Sequence, residues 1–257
     1  MRIKFRNPPI DELVIGSYFP PILQLQAQHV GSFWASVLDA FPRCTQQAPL
    51  GEWVQAQDEP MPMPRFWLIT QDDSRLIQIQ KNAFIANWRN RPNVEYPHYV
   101  TVKHFFEEYL AKFKTFLTRA TGAEITEVLN LELTYTNFLA MNGLKVFSDF
   151  VRLVPGVDAP RLPEGMNNIV GYSGSYNIDV SADLNLRITV TQAKRNIDGV
   201  QGLVLQISAG GIPDPRDWLA TSLWFDKAHD QIGKVFLSVT TKELQNSWGP
   251  QEIGGSA

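Results

Sequence analysis

From Asn130 to Leu139 the chain alternates between polar and apolar residues: Asn-Leu-Glu-Leu-Thr-Tyr-Thr-Asn-Phe-Leu. Leu131, Leu133, Tyr135 and Leu139 fall on one side, and Asn130, Glu132, Thr134 and Thr136 on the other. Successive side chains of a strand point to opposite faces, so a period of two marks a strand with one buried face. The same alternation recurs in other segments. A chain built this way must form a one-sided sheet, and apolar elements must cover its buried face.

The covering elements show the helical period. Thr101 to Thr121 sets Val102, Phe105, Phe106, Tyr109, Leu110, Phe113, Phe116, Leu117 and Ala120 on one stripe. Thr101 is its expected N-cap and Gly122 its stop. Asp217 or Thr221 to Val239 aligns Leu223, Trp224, Ala228, Ile232, Val235 and Phe236. Gln24 to Phe41 and, more briefly, Leu144 to Leu153 read as further helices, and Thr240-Thr241-Lys242-Glu243 resembles a capping box opening a last short one. Strands are expected at Asp11–Phe19, Arg65–Thr70, Arg75–Trp88, about Ile169–Val180, Leu184–Ala193 and Gly202–Ala209. Hairpin turns fall at Gln71–Ser74, Ser181–Asp183 and Asn196–Gly199. Residues 45–64 and Pro155–Gly165 read as loops. The order β-α-β-β-α then β-α-β-β-β-α predicts an α+β fold of duplicated β-α-β-β(-β)-α halves. They would share one largely antiparallel sheet with long helices on one face. The halves would be residues 1–122 and 123–248, with 249–257 a frayed, flexible tail.

Composition narrows the function. The 257 residues are 44% hydrophobic and 19% charged, as in globular proteins. A net charge of −3 argues against a generic polyanion binder. The single cysteine, Cys44, excludes an intramolecular disulfide framework and any Cys-rich metal site, and reads as a small buried hydrophobe. No apolar run approaches the roughly 20 residues that span a bilayer, and the N-terminus lacks an apolar signal core. The expectation is a cytoplasmic protein with no membrane partner.

Ordinary chemical signatures are missing. His29, His98, His104 and His229 form no metal-binding pair, and His229-Asp230 diverge by about 100° if helical, so a packed His229 is expected. Phosphate-binding glycine loops and the Gly-x-Ser-x-Gly elbow are absent. Gly171 to Tyr176 lies in an expected strand, where glycine marks a bulge or a close backbone approach. No catalytic residue, metal ligand or cofactor is assigned, and the reading leans away from an enzyme.

The polar sheet face is the remaining candidate surface. Regular pleating gathers Gln78, Gln80, Asn130, Glu132, Thr134, Thr136, Arg187, Thr189, Thr191, Gln206 and Ser208 there. These are mostly neutral hydrogen-bonding groups, where a merely solvated face carries more Lys and Glu. Such a face suits a partner protein, a second copy of the chain or a neutral polar ligand. One alternative is a ligand-binding or enzymatic pocket between sheet and helices, using Glu12, Glu132 or Arg187. Another is nucleic-acid binding, with Lys81, Arg89, Arg91, Lys194 and Arg195 at the sheet edges. Duplicated halves with an open sheet face are similar to the saddle of TATA-binding protein. A DNA saddle wants Lys and Arg around apolar wedges, and this face offers Thr, Gln and Glu, so nucleic acid ranks below protein or ligand.

Four segments together carry a family resemblance: Pro8-Pro9-Ile10-Asp11-Glu12; Leu76-Ile77-Gln78-Ile79-Gln80 leading to Asn87-Trp88-Arg89; Glu132-Leu133-Thr134-Tyr135-Thr136-Asn137; and His229-Asp230-Gln231-Ile232 followed by Phe236 and Trp248. In this order they resemble a sporadically distributed bacterial family of about this length whose function is uncharacterised. The resemblance implies no catalytic residues. Patchy distribution implies an accessory component, of the kind that travels with mobile elements or defence loci. The expected function is therefore non-enzymatic binding of a partner protein or of a second copy.

Overall fold

The computed structural model describes residues 2–51, 62–140, 173–195, 199–213 and 217–253. The expected helix at Leu144–Leu153, the loop at Pro155–Gly165 and Trp53 lie outside them.

The fold is α+β. Nine strands form one sheet: β2 (Ile10–Tyr18), β3 (Arg43–Gln47), β4 (Arg65–Ile69), β5 (Arg75–Gln80), β6 (Ala83–Arg89), β7 (Asn130–Ala140), β8 (Ser173–Ser181), β9 (Leu184–Lys194) and β10 (Gln201–Gly211). Their order across the sheet is β3-β4-β5-β6-β2-β7-β10-β9-β8, and every pair is antiparallel. Two strands at the chain ends, β1 (Arg2–Phe5) and β11 (Pro250–Ile253), pair with each other. The helices are α1 (Ala27–Ser36), α2 (His98–Thr121), α3 (Trp218–Val239) and α4 (Lys242–Ser247). On one sheet face α2 packs on β6 and β2, and α3 on β10 and β7.

The alternating strand β7 lies at the centre, between β2 and β10. Its Leu131, Leu133, Tyr135 and Leu139 are buried beneath the helices. The stripe of α2 lies on the neighbouring β6 and β2 and buries Phe106, Phe113 and Leu117. Phe113 is fully buried, with its ring 5.4 Å from Phe33 of α1 and 5.5 Å from Phe84 of β6. Phe106 joins the two long helices through Phe225 of α3, 5.4 Å away edge to face. Helix ends follow local chemistry. Gly122 takes the left-handed conformation (φ 73°) that ends α2 and donates its N–H to Thr118. Asp217 caps α3 by accepting the Leu219 N–H, and Thr241 caps α4 by accepting that of Leu244.

Several boundaries differ from the expectation. Arg75–Trp88 is two strands, β5 and β6, folded at Lys81-Asn82, because a hairpin turn without glycine or proline leaves the alternation unbroken. β3 lies in the expected loop, and α1 is shorter than Gln24–Phe41. α2 begins at His98, so Thr101 lies in its first turn instead of capping it. Four residues of the expected tail form β11: Phe5 and Trp248, 5.4 Å apart edge to face, hold the two chain ends together.

Replacing Phe113 with alanine leaves a large void where three rings meet. A loss of about 3–5 kcal/mol is expected in urea unfolding. The exposed Leu223→Ala on the outer side of α3 should shift stability by only about 0.5 kcal/mol or less.

Candidate functional site

The strand register turns the face opposite α2 and α3 into a grid. One row across the sheet runs Arg89, Glu12, Thr136, Gln206, Thr189, Ser175. The next runs Ile69, Leu76, Asn87, Val14, Thr134, Ser208, Arg187, Asn177. The third runs Trp67, Gln78, Ile85, Gly16, Glu132, Gly210, Asn185, Asp179. Tyr18 and Asn130 belong to a fourth, with Gln80 beside Ala83. All nine residues selected from sequence, Gln78, Gln80, Asn130, Glu132, Thr134, Thr136, Arg187, Thr189 and Gln206, share this face. At about 4.8 Å per strand it is roughly 38 Å wide.

They do not play one role. Gln78, Gln80 and Thr134 are buried. Gln80 clamps a crossing segment: its Oε1 accepts the Leu50 N–H at 3.0 Å and its Nε2 donates to the Leu50 carbonyl at 3.2 Å. Gln78 is the hub of a polar chain. Its Oε1 accepts from Arg65 Nη1 (2.8 Å) and Trp67 Nε1 (3.0 Å). Its Nε2 donates to Asn87 Oδ1 (2.6 Å), and Asn87 Nδ2 donates to Glu12 Oε1 (2.8 Å). Burial pushes the Glu12 carboxyl up, against the lowering pull of Asn87 and Arg89.

At the centre, Tyr18 donates to Glu132 Oε2 at 2.6 Å, and Thr134 Oγ1 lies 2.8 Å from Glu132 Oε1 and 2.9 Å from Ser208 Oγ. Burial and the adjacent Glu132 carboxylate push the Tyr18 phenol up. Gly16 lies beside this contact, and a Cβ there would be tight only against Ile85, at 3.3 Å. Towards β8 the face is more accessible. Thr136, Thr189 and Gln206 are half-buried, and Arg187, Asn177 and Ser175 are exposed.

One end of the face carries arginines. Arg43, Arg89 and Arg91 converge on Asp73 at 3.0, 2.6 and 2.7 Å. Asp73 takes φ 61° in the β4–β5 turn, and Asp72 closes that turn by accepting from Thr70 and Ser74. Burial alone would raise the Asp73 carboxyl, but Arg91 and Arg89 outweigh it and hold it below its usual range. The guanidinium carbons of Arg65 and Arg89 lie over the Trp67 ring, 5.5 and 5.8 Å from its centroid. Trp67 and Arg65 escaped the sequence reading; their only signal was two long polar-tipped side chains on the polar parity of a short strand.

The residues expected to line a pocket between sheet and helices do not face that layer. Glu12, Glu132 and Arg187 all point away from the helices, and Glu12 and Arg187 lie three strands apart, on the order of 14 Å. A cleft of about 270 Å³ opens instead between α2 and α3, lined by Phe106, Glu107, Leu110, Lys114, Thr221 and Ser222. His229 packs: its ring stacks on Tyr99 at 4.0 Å, with Nδ1 2.9 Å from the Tyr135 hydroxyl. Burial pushes the neighbouring Tyr96 phenol up to about 12. Cys44 is half-buried, and burial raises its thiol, which opposes nucleophilic use. Among the basic candidates, Lys81 is buried in the β5–β6 turn and Arg195 lies over Phe138 at 4.8 Å. Among the described residues no three His, Cys, Asp or Glu side chains converge as a metal cage, and no helix is long and apolar enough to cross a membrane.

No protein-family model and no curated protein matches this chain.

Glu12 yields a pH prediction. Its native pKa lies above the usual 4.5, so the native state is penalised as pH rises through that raised value. Glu12→Gln keeps the acceptor for Asn87 and removes the charge. The variant should melt higher than the parent at pH 7, and the gain should vanish below pH 4.5 in thermal unfolding followed against pH.

Proposed function

We propose that this chain is a non-enzymatic, cytoplasmic binding protein that engages a partner protein, or a second copy of itself, through the helix-free sheet face. The observation that carries the reading is the accessible group of polar, mostly uncharged residues on that face, Thr136, Gln206, Thr189 and Ser175, with Arg187 and Asn177 in the next row. The accessible surface spans β7, β10, β9 and β8, where Thr136, Gln206, Thr189 and Arg187 present donors and acceptors with little charge. Those four strands form a patch roughly 19 Å by 20 Å, about half of the 800 Å² that one partner contributes to a standard interface. The hydrogen-bonded Tyr18–Glu132–Thr134–Ser208 group makes the centre of the face rigid, which lowers the entropy cost of docking.

Strand order supports a duplicated origin. Outward from the β2–β7 pair, β6, β5 and β4 lie on one side and β10, β9 and β8 on the other, with α2 following β6 and α3 following β10. The resemblance to a sporadically distributed bacterial family supports an accessory or defence-associated role.

The double variant Thr136→Lys/Thr189→Lys places two cations on either side of Gln206 without touching the core. Size-exclusion chromatography with light scattering reads self-association, and quantitative affinity capture from the native cell reads partners. The reading expects the dimer, or one specific partner, to fall at least tenfold while the melting temperature holds. Unchanged assembly and unchanged partner recovery would refute it.

A further inference from the structure

The sheet ends on β8 with little of what usually closes an edge. Among the described residues no strand pairs with its outer side. An unpaired edge presents a row of backbone N–H and C=O groups, and proteins blunt such edges with lysine, proline or short strands. β8 runs for nine residues, Ser-Gly-Ser-Tyr-Asn-Ile-Asp-Val-Ser, with no lysine, no proline and a single charge, Asp179. Its one irregularity lies at the end, between Asp179 and Ser181. The opposite edge, β3, is five residues long, and its Arg43 is held on Asp73.

β8 also carries the apolar parity of the core out into solvent. Tyr176 and Ile178 face the same side as their cross-strand partners Ile188 and Leu186, which are 3% and 1% exposed. Ile178 itself is 37% exposed, because α3 packs further in, on β10 and β7. Val180 is 36% exposed. The polar parity, Ser175, Asn177 and Asp179, continues the rows of Thr189, Arg187 and Asn185. Every position of the strand after Tyr176 is exposed.

We propose that β8 pairs antiparallel with β8 of a second copy of the chain, joining two sheets edge to edge. A two-fold axis perpendicular to the sheet produces this pairing and closes it, so a dimer forms and not a fibre. With the axis at Asn177, Ile178 meets Tyr176 of the second copy, and the apolar layer of the core continues across the junction. Asp179 then meets Ser175 of the second copy. The two Asp179 residues stay about 14 Å apart, roughly four residues along the strand, so no like charges face each other. Area favours a second copy over a lone extended peptide. The accessible polar patch of one chain is roughly 19 Å wide, and two patches joined on the same side span about 38 Å, the scale of a standard interface. A single added strand would widen the patch by only about 4.8 Å. The gain in area matters only if the face binds a partner, whereas the edge pairing stands without it.

Light scattering on the full chain from about 1 to about 100 µM reads the mass, and amide hydrogen exchange at both concentrations reads the outward-facing amides of β8. A dimer is expected at the upper concentration, with those amides exchanging about tenfold more slowly than at the lower. Ile178→Lys puts a cation on the exposed apolar side of the edge. It should weaken the dimer about tenfold or more while the melting temperature at about 1 µM holds. Asn177→Lys serves if Ile178→Lys lowers that temperature, because it sets two cations opposite each other at the axis. Thr136→Lys/Thr189→Lys leaves the edge alone and should keep the edge dimer, so the two sets of variants separate edge from face. A monomer at about 100 µM overturns the proposal. So does a dimer that neither Ile178→Lys nor Asn177→Lys weakens. Outward-facing β8 amides already protected in a monomer at about 1 µM mean that the edge is covered within one chain, which overturns it as well.

Discussion

The architecture depends on one apolar layer, shared by a nine-stranded sheet and two long helices. Leu13, Ile15, Leu133 and Leu205 from the central strands are fully buried, and Phe33, Phe84, Phe113 and Phe225 fill the space above them. Among the described residues α2 and α3 both lie on that side, and the opposite face mixes polar side chains with the buried Ile69, Leu76 and Ile85 towards β4. A helix can leave one residue misplaced, but a strand cannot: a slip of one position exchanges every buried and exposed side chain. The register of β7 against β2 and β10 therefore sets the core and the grid of the polar face in a single step. Moving Leu133 into the core necessarily moves Glu132 and Thr134 out of it.

That coupling explains what the sequence made legible. Alternation in β7, β9 and β10 identified the strands and assigned Glu132, Thr136, Arg187, Thr189 and Gln206 to one face, and long stripes identified α2 and α3. Boundaries were harder where local chemistry is silent. The Lys81-Asn82 turn has no glycine or proline, and β1 and β11 are four-residue strands that exist only because the chain ends meet. Neither carries a period long enough to read. Parity assigns a side chain to a face but not to a depth or a partner, so Gln78 and Gln80 were placed correctly, while their burial depends on Arg65, Trp67 and Leu50, which are distant in sequence or lie on another strand.

Depth divides the face into regions with different physics. Towards β8 the side chains are accessible and neutral, so contacts there exchange water for partner hydrogen bonds with small net energy, and area and shape decide binding. Towards β4 the polar groups are buried and directional. A misplaced partner there leaves a donor unsatisfied, a larger penalty than any single neutral hydrogen bond gains. The first region exposes its hydrogen-bonding groups, and the second spends them inside the fold.

Glu12 stands where these regions meet. Its carboxyl accepts from Asn87, and its backbone lies in the strand paired with both β6 and β7. When it is ionised, it offsets part of the positive charge of Arg89. When it is protonated, Arg89 is balanced chiefly by Asp73, and the Trp67 end of the face becomes more positive. Burial favours the protonated form, while the Asn87 hydrogen bond and the charge of Arg89 favour the ionised one. The hydrogen-bonded line from Glu12 through Asn87 and Gln78 ends on Arg65 itself. Asn87 and Gln78 within that line are buried, so the charges at Glu12 and Arg65 are screened less than exposed charges at the same separation.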